Sequence, residues 1–210
     1  MSTPESGRSA RNEAAAARTD RRTLIADTAI ELVAGAGLRG LTHRAVDGAA
    51  QLPTGSTSYY FRTRTALIGA CCQRLAERDL EDYEDYEGDH RAAPADREAG
   101  AAALAALLHR WLTSGRARQL ARFELSLEAA RNPELEPEFR RAGRLPRDRA
   151  AQILAALGAQ RPEEAAELLI AWTDGLLYDR LVGALARSSP APDRAELAAA
   201  TRRMLDAALA

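Results

Sequence analysis

Residues 52–67, LPTGSTSYYFRTRTAL, gather groups that can contact phosphate. Thr54, Ser56, Thr57 and Ser58 carry short hydroxyls, Tyr59 and Tyr60 carry longer phenols, and Arg62 and Arg64 follow. Short side chains let a backbone approach a partner surface closely. Hydroxyls, free N–H groups and a helix amino terminus all bond phosphate oxygens. Between Arg39 and Arg64, four arginines face a single carboxylate, Asp47, and His43 adds further donors. Tyr59 and Tyr60 are neighbours and cannot share one helical face, so at least one should point outward. Phe61 has no polar atom and is expected to plug a small core.

Positioning those groups needs helices. Asp20 can cap a helix that opens at Arg21, with Ile25, Ala29, Leu32, Val33 and Ala36 at helical spacing and Gly35 and Gly37 at its end. Thr42 can cap a short helix over about 43–50, with Ala45, Val46 and Ala49 facing inward. Leu52-Pro53 stops it. Thr54 can cap a second short helix running to about Phe61, and Thr63 a longer one carrying Leu67, Ile68, Cys71 and Leu75. Two short helices joined by a tight turn, with a third behind them, form the helix-turn-helix plan, in which the second short helix enters the major groove of DNA.

Composition bounds the rest. The chain has 210 residues, is 46% hydrophobic and is rich in alanine, which favours an all-α fold. All 29 basic residues are arginine, and the net charge is −1, so a nucleic-acid surface must be local rather than global. No apolar run reaches the ~20 residues of a membrane span and no signal-peptide pattern opens the chain, so a cytoplasmic protein without membrane contact is expected. Cys71 and Cys72 are adjacent, which suits packing rather than a disulfide or a metal site. The stretch from Glu77 to Glu98 holds ten carboxylates and reads as a solvated face, with a loop at 87–96. No catalytic, cofactor or metal motif stands out.

Helices are expected at about 95–114, 117–131, 138–158, 162–187 and 193–209. The fourth of these is apolar on more than one face, and a helix apolar nearly all round is buried nearly all round. With the last helix it is expected to pack against a second copy of the chain, through Leu168, Ala171, Gly175, Leu176, Val182, Gly183, Leu197, Met204 and Leu205. An apolar pocket is expected among Leu108, Trp111, Phe123, Leu127, Trp172 and Tyr178, with Arg122, Glu124 or Glu128 as polar anchors.

Residues 22–72 resemble the DNA-binding domain of the TetR family of bacterial transcription regulators. The resemblance lies in GLRGLT, AVDGAA, LPTGSTSYYF and RTRTAL, in that order. It implies a homodimer with a helix-turn-helix domain at 20–65 and a ligand-binding and dimerisation domain at 66–210; the helical pattern gives about nine helices, and residues 1–19, without a large apolar residue after Met1, are expected to be a flexible tail. The implied DNA-binding residues are Thr42, Arg44, Thr54, Gly55, Ser56, Thr57, Ser58, Tyr59, Tyr60 and Arg64. In this reading the tail arginines Arg8, Arg11 and Arg18 are either idle or help to hold DNA. The family's recognition helix often carries a Tyr-Tyr-His-Phe run where this chain has Ser58-Tyr59-Tyr60-Phe61, which leaves open which tyrosine meets DNA. The implied partners are double-stranded operator DNA and a small-molecule effector, and the implied action is a repressor released by that effector. A protein-binding helical adaptor is the alternative. An enzyme has little support, since no nucleophile–base pair or phosphate loop appears.

Overall fold

The computed structural model describes residues 6–88, 96–184 and 186–210. Among the described residues there are nine α-helices and no strand: α1 (Ser6–Gly40), α2 (His43–Ala49), α3 (Ser56–Tyr60), α4 (Arg64–Gly88), α5 (Arg97–Leu112), α6 (Arg116–Arg131), α7 (Glu136–Ala156), α8 (Pro162–Leu181) and α9 (Arg194–Ala208). One turn of 3₁₀ helix, Pro133–Leu135, joins α6 to α7. Most of the acidic loop expected at 87–96 lies outside the described residues.

Three boundaries differ from expectation for local reasons, and the break at Gly37 agrees with it. The first helix does not open at Arg21 but continues back to Ser6. Ala14 to Ala17 are the strongest helix formers, so Asp20 sits inside the helix instead of capping it. Gly37, at φ 69° and ψ −179°, then breaks α1 one turn before its end. Thr54 does not cap α3, whose cap position is Gly55 in the left-handed region. The apolar helix α8 stops at Leu181 rather than near 187. There the Gly183 N–H bonds back to the Tyr178 carbonyl, and a Cβ on Gly183 would meet the Asp179 carbonyl oxygen at 2.5 Å.

Three apolar clusters hold the helices. The largest joins Ile25, Ala29 and Val33 of α1, Val46 of α2 and Phe61 to Leu67, Ile68, Cys71 and Leu75 of α4. Ala121 and Leu125 of α6, Leu135 and Ala142 complete it, so the core behind the short helices runs unbroken into the rest of the molecule. A second cluster packs Leu104, Leu108 and Leu112 of α5 against Leu177 and Leu181 of α8 and Leu197 of α9. In the third, Ala101, Leu154, Ala165, Ala166 and Leu205 come from α5, α7, α8 and α9. Each fully buried leucine contributes roughly 1.5–3 kcal/mol of transfer free energy. Leu197 and Leu205, expected at a dimer interface, are therefore taken up within the subunit, while Gly183 is half-buried. Within one subunit α8 is not buried all round. Leu168, Ala171, Gly175, Tyr178 and Val182 leave one side of it exposed.

Candidate nucleic-acid interface and effector cavity

The short helices α2 and α3 are held by a carboxylate that the sequence reading passed over. Asp47 is only 3% exposed. One of its oxygens accepts the Gly55 N–H at 2.7 Å. The other accepts the Thr57 N–H at 2.7 Å and the Thr57 hydroxyl at 2.6 Å. Asp47 thus supplies, from the preceding helix, the cap that Gly55 cannot provide. Burial alone pushes the Asp47 carboxyl up, but the Thr57 and Gly55 donors outweigh it and hold the group below its ordinary value. Two signals were present: a lone acid on the inner face of α2, and a recognition helix opening on glycine.

Thr57 is correspondingly removed from the set of surface hydroxyls, since it is fully buried and its hydroxyl is spent on Asp47. Thr54 and Ser58 are exposed. Ser56 is half-buried and donates to the Pro53 carbonyl at 2.6 Å. The two tyrosines divide. Tyr59 is 69% exposed, while Tyr60 is half-buried against the main core, with the rings edge to face at 5.1 Å. The Arg22 guanidinium lies 4.4 Å from the Phe61 ring centre and donates to the Tyr60 carbonyl. The His43 ring donates from Nε2 to the Phe61 carbonyl at 2.7 Å. These contacts lock the carboxyl end of α3 to α1 and α2.

Thr42 caps α2, its hydroxyl oxygen accepting the Ala45 N–H at 3.0 Å, and Arg44 is exposed beside it. Of the expected inward residues of α2, Val46 is buried and Ala45 half-buried, but Ala49 is exposed. Arg64 is exposed and is also tied to the backbone. Its guanidinium donates to the Leu38 carbonyl at 2.7 Å and to the Leu41 carbonyl at 3.2 Å, tying the start of α4 to the end of α1. The exposed polar side chains here include Thr42, Arg44, Thr54, Ser58, Tyr59, Arg62 and Arg64.

A cavity of about 380 Å³ lies among α4, α5, α6, α7 and α8. Of the expected pocket residues, Trp111 and Phe123 line it; Leu108, Leu127, Trp172 and Tyr178 do not. Leu108 is fully buried in the second cluster, and Leu127 and Tyr178 are about half exposed. Cys72, Leu75 and Leu80 of α4, Leu107 of α5, Phe139 of α7, and Leu169 and Ile170 of α8 complete the apolar wall. These residues come from five helices, and no single-helix pattern could group them. Arg122 does line the cavity, whereas Glu124 and Glu128 do not.

The polar end of the cavity is a network of ion pairs. Arg122 pairs with Asp174 at 2.9 Å, and its Nε donates to Gln119 at 2.7 Å. Gln119 in turn donates to Asp79 at 3.3 Å. Arg118 bridges Asp79 and Asp82, and the Trp111 indole N–H donates to Asp82 at 2.8 Å. Burial raises the Asp79 carboxyl despite the nearby Arg122 and Arg118 charges. Burial also pushes the Cys72 thiol up to about 11, so it remains a neutral part of the wall. Among the described residues no helix is long and apolar enough to cross a membrane.

Residues 95–207 match the family described as Tetracyclin repressor-like, C-terminal domain. No curated protein matches the chain. Among solved structures, the multidrug binding protein EbrR complexed with proflavin is 30% identical, covering 88% of this chain and 99% of that one at a TM-score of 0.58. The same protein complexed with ethidium is 29% identical, covering 88% and 98% at a TM-score of 0.65. A TetR family member from Streptomyces coelicolor A3 is 27% identical, covering 88% and 97% at a TM-score of 0.64. With its own helix-turn-helix and a carboxy-terminal half that matches the family, this chain belongs to the TetR family of transcription regulators and is not an enzyme.

Proposed function

We propose that the protein is a cytoplasmic, homodimeric repressor that leaves a palindromic operator when a small lipophilic effector fills the cavity. The observation that carries this reading is the pairing of two features in one chain. One is the exposed, carboxylate-free surface of Arg44, Thr54, Ser58, Tyr59 and Arg62. The other is the mainly apolar cavity behind α4 and α6. Within the first feature, Tyr59 is the tyrosine that reaches DNA, and Tyr60 is part of the fold. Thr42, Gly55 and Ser56 shape the helix ends beside it. In this division, 20–65 reads DNA and 66–210 senses the effector and dimerises.

A second copy fits the exposed side of α8, where Leu168, Ala171, Gly175, Tyr178 and Val182 face solvent beside Leu176, with Met204 on α9. A two-fold axis there would send two α3 helices into successive major grooves ~34 Å apart. The EbrR complexes with ethidium, proflavin and malachite green guide the choice of effector class, a planar aromatic compound. Such a ligand would pack against Trp111 and Phe123. An effector that favours the DNA-incompetent state by ~1–3 kcal/mol lowers operator affinity ~5–150-fold.

The test is selection of binding sites from random duplex DNA, followed by footprinting. Two protected half-sites about one helical turn apart, with affinity falling steeply as salt rises, are expected. A protein that selects no sequence is the adaptor instead.

A further inference from the structure

The break at Gly37 has a partner on the sensing side of the molecule. Once α1 leaves helical geometry, the N–H of Leu38 is free of its place in the helix. The Glu124 carboxylate of α6 accepts it at 2.6 Å. The carbonyl of the same residue is held too, accepting from Arg64 at 2.7 Å. A Cβ on Gly37 would stand 2.9 Å from the same Glu124 oxygen, so glycine both permits the break and makes room for the carboxylate. From Leu38 the chain runs through Leu41 and Thr42 directly into α2.

Helix α6 has a different role on each side. Arg122, Phe123, Leu125 and Ser126 line the cavity, and Leu125, with Ala121, also sits in the core shared with α1. A helix moves as a rigid rod over so short a span, so displacing Phe123 displaces Glu124. A charge-assisted bond of this length weakens steeply with small changes in distance and angle. The Leu38 peptide therefore lies between the cavity wall and the start of the helix-turn-helix.

We propose that Glu124 is the positioning residue through which cavity occupancy sets the pose of α2 and α3, by holding or releasing the Leu38 N–H. This rests on the reading of the protein as an effector-controlled DNA binder. It makes α6 and the end of α1 the transmitting route, in place of α4 alone.

Ethidium and proflavin intercalate into DNA and would confuse a release assay, so the cavity is filled by mutation. Ala150, half-buried on α7, lines the cavity, and Ala150→Trp places an indole inside it. Loss of ethidium binding in the absence of DNA shows that the space is taken. Affinity for selected DNA is then measured for the wild type, Ala150→Trp, Glu124→Ala and the double variant. Ala150→Trp should weaken binding about tenfold in the wild-type background and by less than about twofold in the Glu124→Ala background. Amide hydrogen exchange at Leu38 should accelerate in Ala150→Trp.

An equal loss in both backgrounds overturns the proposal, as does a filled cavity that changes neither DNA affinity nor Leu38 exchange. If circular dichroism shows Ala150→Trp unfolded, Leu107→Trp fills the same space from α5. A wild type that retains no selected DNA condemns the DNA-binding reading instead. In that case Leu38 exchange still reports whether the contact responds to the cavity.

Discussion

Asp47 of α2 and Thr57 of α3 are ten residues apart in the chain and joined twice through one carboxylate oxygen, at 2.7 Å to the N–H and 2.6 Å to the hydroxyl. With Gly55 on the other oxygen, a single side chain fixes the turn and the opening of α3. A five-residue helix has too little of its own hydrogen bonding to persist. Its geometry is imposed by this contact and by burial of Phe61.

Asp47→Ala should therefore destabilise the protein by about 2–4 kcal/mol, because it removes a cap and leaves buried donors unpaired. Denaturant unfolding measures this directly. A change under about 0.5 kcal/mol, the range of an ordinary surface substitution, would contradict the role assigned to Asp47.

The same contact has a pH signature. The folded Asp47 carboxyl lies below its ordinary value. Its stabilising contribution is thus present above the unfolded value of about 3.9 and is lost as pH falls through the folded one. The stability gap between wild type and Asp47→Asn should be constant from about pH 7 to 5 and close only below about pH 4. A gap that closes near neutrality would point to a different group.

Tyr59 and Tyr60 should separate function from folding. Tyr59→Ala is expected to weaken binding of selected DNA at least about tenfold, with thermal stability unchanged, since its ring is mostly in solvent. Tyr60→Ala should instead cost about 1–3 kcal/mol of stability, since its ring packs on the core. The reverse pattern in gel retardation and melting would exchange the two assignments.

Gly175 offers a clean probe of the second copy. A Cβ there meets nothing within 4 Å, so a side chain fits the single subunit. Gly175→Arg is expected to halve the mass seen by sedimentation equilibrium while leaving helix content intact. An unchanged mass would move the interface away from this face of α8.

At Gly37 the left-handed φ and the nearby Glu124 oxygen act together. Gly37→Ala should destabilise by roughly 1–3 kcal/mol, read by thermal unfolding. Removing the carboxylate as well, in the Glu124→Ala background, should recover the steric part of that loss and leave the backbone part.

The sequence by itself determined the helical class, the order of the helices and the place of the two short helices. Those follow from local chemistry: apolar spacing, Thr42 and Thr63 as caps, and the run from Leu52 to Phe61. Trp111 and Phe123 were among the aromatics it offered for a pocket and do line the cavity, although Trp172 and Tyr178, offered on the same ground, do not. Only the tertiary structure decided the rest. Which tyrosine faces outward depends on how α3 is rotated against the core. Arg64 meets backbone carbonyls and Thr57 is spent on Asp47 because those acceptors lie on other segments. Leu108, Leu197 and Leu205 were consumed within the subunit, while Leu168 and Val182 were left outside it. Periodicity tells which residues share a face of a helix, but the neighbour that each face meets is set by packing between segments far apart in the chain. The bond from Leu38 to Glu124, which spans 86 positions, is of that second kind.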